Sequence, residues 1–140
     1  MRAVIDTNVL ISGFISNKSF PAKVIDLWVT GQFEPVVCKE IIEEYSAVLV
    51  RGKFSVLGSI EERLDALTKL LCLEHVVFIE PQQELDVIKD DPKDNLFLAC
   101  ALEGNCKFIV SGDRHLLDLK EYTGIKIVDA KEFLTLIRTF

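Results

Sequence analysis

Four acidic residues stand where a carboxylate can do chemistry: Asp6, Glu44, Asp94 and Asp113. Asp6 ends the apolar run Val4-Ile5, and Thr7-Asn8 follows at once. Asp113 comes straight after Phe108-Ile109-Val110, with only Ser111-Gly112 between. Both runs read as buried strands, and open α/β sheets place ligands at the carboxyl ends of their strands. Glu44 belongs to a helix from Lys39 to about Arg51, whose residues Ile41, Ile42, Tyr45, Val48 and Leu49 form one apolar stripe. Glu44 lies at the margin of that stripe, whereas Glu40 and Glu43 read as a solvated face. Asp94 opens a further helix, Leu96 to Glu103. For Asp6 and Asp94 the plainer role is to cap the helix each one precedes.

Convergence of the four acids would need a counter-charge. Two carboxylates about 5 Å apart repel by roughly 3 kcal/mol at an effective dielectric near 20, and neither Lys nor Arg occupies the strand-end positions. A divalent cation fits instead, and an all-oxygen set of ligands selects Mg²⁺ or Mn²⁺ over softer metals. The glycine-centred acidic loop of an EF-hand is absent, which argues against calcium.

The elements that must position these acids alternate along the chain. Helices are expected over Val9 to Ile15, from Pro21 to near Gly31, through Leu64 to Leu71 behind the capping box Ser59-Ile60-Glu61-Glu62, over Arg114 to Leu119, and over Ala130 to Arg138. Further strands are expected at Pro35 to Cys38, with Pro35 confined to a first or edge position, at Val76 to Ile79, and at Ile125 to Val128. Gly52 to Gly58 reads as a loop. So does Pro81 to Lys93, whose acids Glu84, Asp86, Asp90 and Asp91 read as solvated charges. This alternation predicts a single domain, residues 1–140, with a three-layer α/β/α architecture around a central, mostly parallel sheet of about five strands joined by right-handed crossovers.

Composition agrees with that size and class. The chain has 140 residues, 49% apolar and 27% charged, enough to bury a sizeable core. Its four cysteines show no CxxC pairing and read as reduced core thiols. No apolar run is long enough for a membrane span and no secretory leader is visible, so a cytoplasmic location is expected. A formal charge of −6 argues against a broad basic surface that holds nucleic acid by charge alone, and is compatible with a nucleic-acid enzyme whose acids gather around a cation.

The stretches Val4-Ile5-Asp6-Thr7-Asn8, Ile41-Ile42-Glu43-Glu44-Tyr45, Asp91-Pro92-Lys93-Asp94-Asn95 and Ser111-Gly112-Asp113-Arg114-His115-Leu116-Leu117 resemble, in order, the four acidic motifs of the PIN-domain nucleases. The closing Ile127-Val128 and Glu132-Phe133-Leu134 resemble the family's end. The resemblance is nearest to prokaryotic PIN proteins assigned as toxins of toxin–antitoxin modules. It implies a metal-dependent endoribonuclease in which Asp6, Glu44, Asp94 and Asp113 hold Mg²⁺ or Mn²⁺ for hydrolysis of RNA. It also implies that Asn8 and Ser111 support the acids, that the chain forms a homodimer, and that a small antitoxin blocks the acidic pocket. Asp91 is an alternative to Asp94, and Glu40 to Glu44. Arg114 and His115 could touch phosphate but read as exposed or packing residues.

A dehalogenase-like phosphatase would want an acid where Asn8 stands, and a response receiver would want two adjacent acids after the first strand. Neither pattern is present. The rival of a different class is a PIN-fold binding module that holds RNA or a protein partner without cutting.

Overall fold

A computed structural model describes residues 1–88 and 91–139 of the chain. Asp90, one of the acids assigned above to a solvated loop, lies outside them. The sheet grows from its middle. Strand β1 (Arg2–Ile5) is flanked by β2 (Glu34–Val37) on one side and β4 (Phe108–Val110) on the other, both parallel to it. The complete order is β3-β2-β1-β4-β6-β5, with β3 at Val77–Phe78, β5 at Glu121–Tyr122 and β6 at Ile125–Val128. The chain therefore steps outward from β1 to β2 to β3, then returns to the other side of β1. That reversal lies between β1 and β4, and it is where an α/β sheet opens a crevice at its carboxyl edge.

Six strands form instead of about five. The additional one, β5, pairs antiparallel with β6 across a two-residue turn in which Thr123 has φ 45° and Gly124 φ 89°. Positive φ at both central residues suits a tight hairpin, and only two residues of strand precede it, too few to leave a period. Pro35 is neither first in its strand nor on the sheet's edge, as the order of strands shows. β3 reaches β2 only at Val36 and Val37, so Pro35 has no strand on that side to which it would donate. Cys38 closes no strand; it stands at the cap position of α3 (Lys39–Leu49).

The helices cover the sheet in two groups. α1 (Thr7–Ile15) packs on α2 (Phe20–Val29) and α2 on α7 (Ala130–Leu136), while α5 (Pro92–Glu103) lies against β1, β2 and β4 and touches α3. Gly13 lets α1 and α2 approach closely: a Cβ there would stand 2.5 Å from Ile25 Cγ1. Trp28, Phe33, Phe133 and Phe108 form a chain of edge-to-face rings with centroids 5.3–6.4 Å apart, linking α2 and α7 to the sheet. Ser19 caps α2, and Ser59 with Glu62 forms the expected capping box of α4 (Ile60–Leu71).

Other boundaries moved. Gly52–Leu57, expected as a loop, winds into a 3-10 helix, and the final helix gives way to a 3-10 turn at Ile137–Thr139. Arg63 is buried and donates to the carbonyls of Leu49, Arg51, Gly58 and Ser59, closing the ends of α3 and α4 over the 3-10 segment. Three of the four cysteines are buried free thiols, but Cys72, at the end of α4, is exposed. Among the described residues no helix is long and apolar enough to cross a membrane.

Candidate active site

The acids stand at the reversal between β1 and β4. Asp6 follows β1 directly, and its backbone N–H donates to Val110 O at 2.9 Å, so the two strand ends are tied together. Asp6 occupies the cap position of α1, yet its side chain makes no capping bond. Its carboxylate instead accepts a 2.6 Å hydrogen bond from Ser111 Oγ. The same hydroxyl accepts from the Asp113 N–H at 2.9 Å. Ser111 thus joins the first acid to the fourth through one fully buried oxygen.

Asp113 caps α6 (Arg114–Leu119) by accepting from the His115 N–H at 2.8 Å. Asp94 does not cap its helix. α5 starts at Pro92, four residues earlier than Leu96, and Asp91 is the capping residue, accepting from the Asp94 N–H at 3.3 Å. This corrects the reading of Asp91 as a solvated charge and of residues 81–93 as loop throughout. It also leaves one oxygen of the Asp94 carboxylate, Oδ2, without a hydrogen-bond partner. Among the described residues only two buried side-chain oxygens lack a hydrogen-bond partner, and both lie here: Asp94 Oδ2 and Thr7 Oγ1.

Ligand atoms of Asp91, Asp94, Asp113 and His115 all lie within 4.8 Å of one another. Asp6 and Glu44 stand outside that tight group but within its field. Burial holds the Asp6 carboxyl above its ordinary range, opposed by the Ser111 hydrogen bond, with further upward pressure from the charges of Asp113 and Glu44. Burial likewise pushes Asp94 up to about 7, reinforced by its contact with Asp91 and by the charges of Asp113, Asp91 and Asp6. Glu44, half-buried on α3 as the stripe geometry predicts, meets Lys93 at 3.4 Å. Glu40 and Glu43 are exposed.

The supporting residues divide. Ser111 bonds Asp6, whereas Asn8 is exposed and, among the described residues, joins no acid by a hydrogen bond. Asn95, which the sequence offers only as the last residue of the third motif, has a buried side chain that accepts from the N–H groups of Val87 and Ile88 at 2.9 Å and donates to Ile88 O and Asp91 O. It pins the acidic segment before α5 to the helix. Glu103, accepting from Gln82 and Gln83, pins the same segment at the other end. A groove of about 680 Å³ opens between that segment and α5, with Glu40, Glu84, Asp86 and Asp91 on its walls. His115 is exposed, as expected, with Nδ1 3.9 Å from Asp113.

A family model described as "PIN domain" matches residues 2–115. The chain belongs to the PIN domain family. PIN domains are a nuclease superfamily, and the span matched contains all four acids and the strands that carry two of them. A curated relative, an uncharacterized protein of Methanocaldococcus jannaschii, is 28% identical over an alignment covering 96% of this chain and 90% of that protein. The donor set of this PIN domain suits a divalent ion. Its carboxylate oxygens are hard ligands, one of them, Asp94 Oδ2, is buried with no partner, and burial holds the carboxyls of Asp94 and Asp6 above their ordinary range, which an arriving cation would reverse.

Proposed function

We propose that this PIN domain is a metal-dependent endoribonuclease whose Asp6, Glu44, Asp94 and Asp113 hold Mg²⁺ or Mn²⁺. The observation that carries the reading is Asp94 Oδ2, buried and unbonded beside the carboxylates of Asp91 and Asp113, whose charges add to burial in holding the Asp94 carboxyl up. When bound, the ion would supply a water acidic enough to attack a phosphodiester and a charge to stabilise the leaving oxygen. The chain's own part is positioning. Ser111 fixes the Asp6 carboxylate in one rotamer, and Asp91 takes over the capping of α5, which frees Asp94 for a ligand. Lys93, 3.4 Å from Glu44 and largely exposed, is the ammonium that would meet a substrate phosphate at this rim. Asp91 and His115 belong to the tight group with Asp94 and Asp113 and are further candidate ligands.

The test is cleavage of single-stranded RNA by the purified protein in Mn²⁺, beside Asp6→Asn and Asp94→Asn. Loss of cleavage in both variants is the expected result. Cleavage surviving both substitutions would refute the assignment, and a parent that neither cuts nor binds Mn²⁺ would favour the binding-module alternative. A toxin role, a small antitoxin over the acidic pocket and a homodimeric state belong to the same proposal and rest on the motif resemblance. Light scattering of the purified protein and the presence of a short neighbouring reading frame check them.

A further inference from the structure

Beside the acids lies a second hollow of about 370 Å³, walled by Asn8, Ser12, Phe20, Ser111, Gly112 and Lys131. Three of these tie it to the acidic edge: Asn8 is two residues from Asp6, Ser111 bonds Asp6, and Gly112 adjoins Asp113. Phe20, the first residue of α2, is 45% exposed there, unlike the other rings of that helix and of α7, which are buried. Two ammonium groups from different helices approach its ring: Lys23 Nζ at 5.6 Å and Lys131 Nζ at 5.8 Å from the centroid. In a chain of formal charge −6, a solvent-facing aromatic bracketed by two lysines at the rim of an acidic centre is an unusual juxtaposition.

We propose that this hollow is a nucleobase subsite: Phe20 stacks an unpaired base while Lys23 and Lys131 meet the phosphates on either side of it. The inference rests on the nuclease reading and adds where the strand runs. An aromatic face offers every base a stacking surface without hydrogen-bond readout, and it needs that base out of a duplex, so the substrate class is single-stranded. The exposed polar side chains of Asn8 and Ser12 lie within reach of a base edge and would set a modest preference. Both lysine distances fall near the outer limit of about 6 Å for such contacts, so neither ammonium covers the ring tightly.

The test uses a short single-stranded RNA with 2-aminopurine scanned through it, read by fluorescence on binding, and the same RNA read by cleavage in Mn²⁺. Each is repeated with an abasic nucleotide at the responding position. Phe20→Ala should lower affinity and kcat/KM on intact RNA about tenfold or more, with little further loss on the abasic RNA, and Phe20→Tyr should restore both. Lys131→Gln should weaken binding to intact and abasic RNA alike. Because Phe20 is half exposed, the alanine variant should melt close to the parent. Equal losses for Phe20→Ala on intact and abasic RNA, or no fluorescence response in the parent, would overturn the subsite. Base binding without any cleavage would instead sink the nuclease reading and leave the subsite standing.

Discussion

At the scale of single residues, Asp94 bears the clearest consequences. Its carboxyl titrates near 7 in the metal-free fold, against 3.8 in an open chain. A raised acid contributes stability that is complete below about 3.8 and lost as pH rises through about 7. The metal-free protein should therefore lose melting temperature between those limits. Asp94→Asn should flatten that profile, raise the apo melting temperature at pH 8, and abolish the rise that Mn²⁺ causes in the parent. A variant that melts lower than the parent at pH 8 would show that Asp94 supports the fold instead of straining it. Ser111→Ala should cost about 10–100-fold in Mn²⁺ affinity, since it removes the bond that orients Asp6; isothermal titration would detect an unchanged affinity. Asp6 and Asp113 were legible in the sequence because a buried strand that stops on an acid is a local pattern. Asp91 as the cap was missed, although Pro92 after an acid marks a first helical position, because the acid-rich stretch before it read as solvated loop. The unbonded Thr7 hydroxyl had no sequence signature, since its environment comes from residues distant in the chain.

At the scale of elements, what holds the acids is a set of side chains that bind backbone. Tyr45 on α3 donates its buried hydroxyl to Ile5 O, one residue before Asp6, which locks the strand end to the helix that carries Glu44. Asn95 holds the segment before α5 by four bonds. Asn95→Ala should leave those backbone groups poorly satisfied and cost about 1–3 kcal/mol, with faster amide exchange at Val87 and Ile88 than elsewhere; uniform exchange would refute a local pin. Gly13→Ala should cost about 1–3 kcal/mol by forcing α1 from α2, measurable by urea denaturation. Arg63 could have been found: it stands on the same helical face as Leu67 and Leu70, and a charge on an apolar stripe is a buried donor until shown otherwise. Strand β5 could not, because two residues and a turn carry too little pattern.

At the scale of the molecule, the order of strands does the gathering. Parallel strands sharing one direction bring Asp6 and Asp113 to a common rim, and the reversal at β1 and β4 opens that rim to solvent. The sequence implied this architecture by its alternation of strand and helix, although it could not say that β4 sits beside β1. The net charge sets a further expectation. With Lys23, Lys131 and Lys93 as the phosphate contacts, the dependence of RNA affinity on salt should be shallow, a slope of about −2 on logarithmic axes. A slope several times steeper would reveal a basic surface outside these residues.

The division of labour between Asp91 and Asp94 has an evolutionary consequence. Because Asp91 caps the helix while Asp94 keeps a buried oxygen unpartnered, a single nucleotide change at Asp94 would, on the proposed reading, silence the cleavage while leaving the cap of the helix in place. Lineages that carry this arrangement should readily drift into inactive descendants that keep the shape and recruit it for recognition.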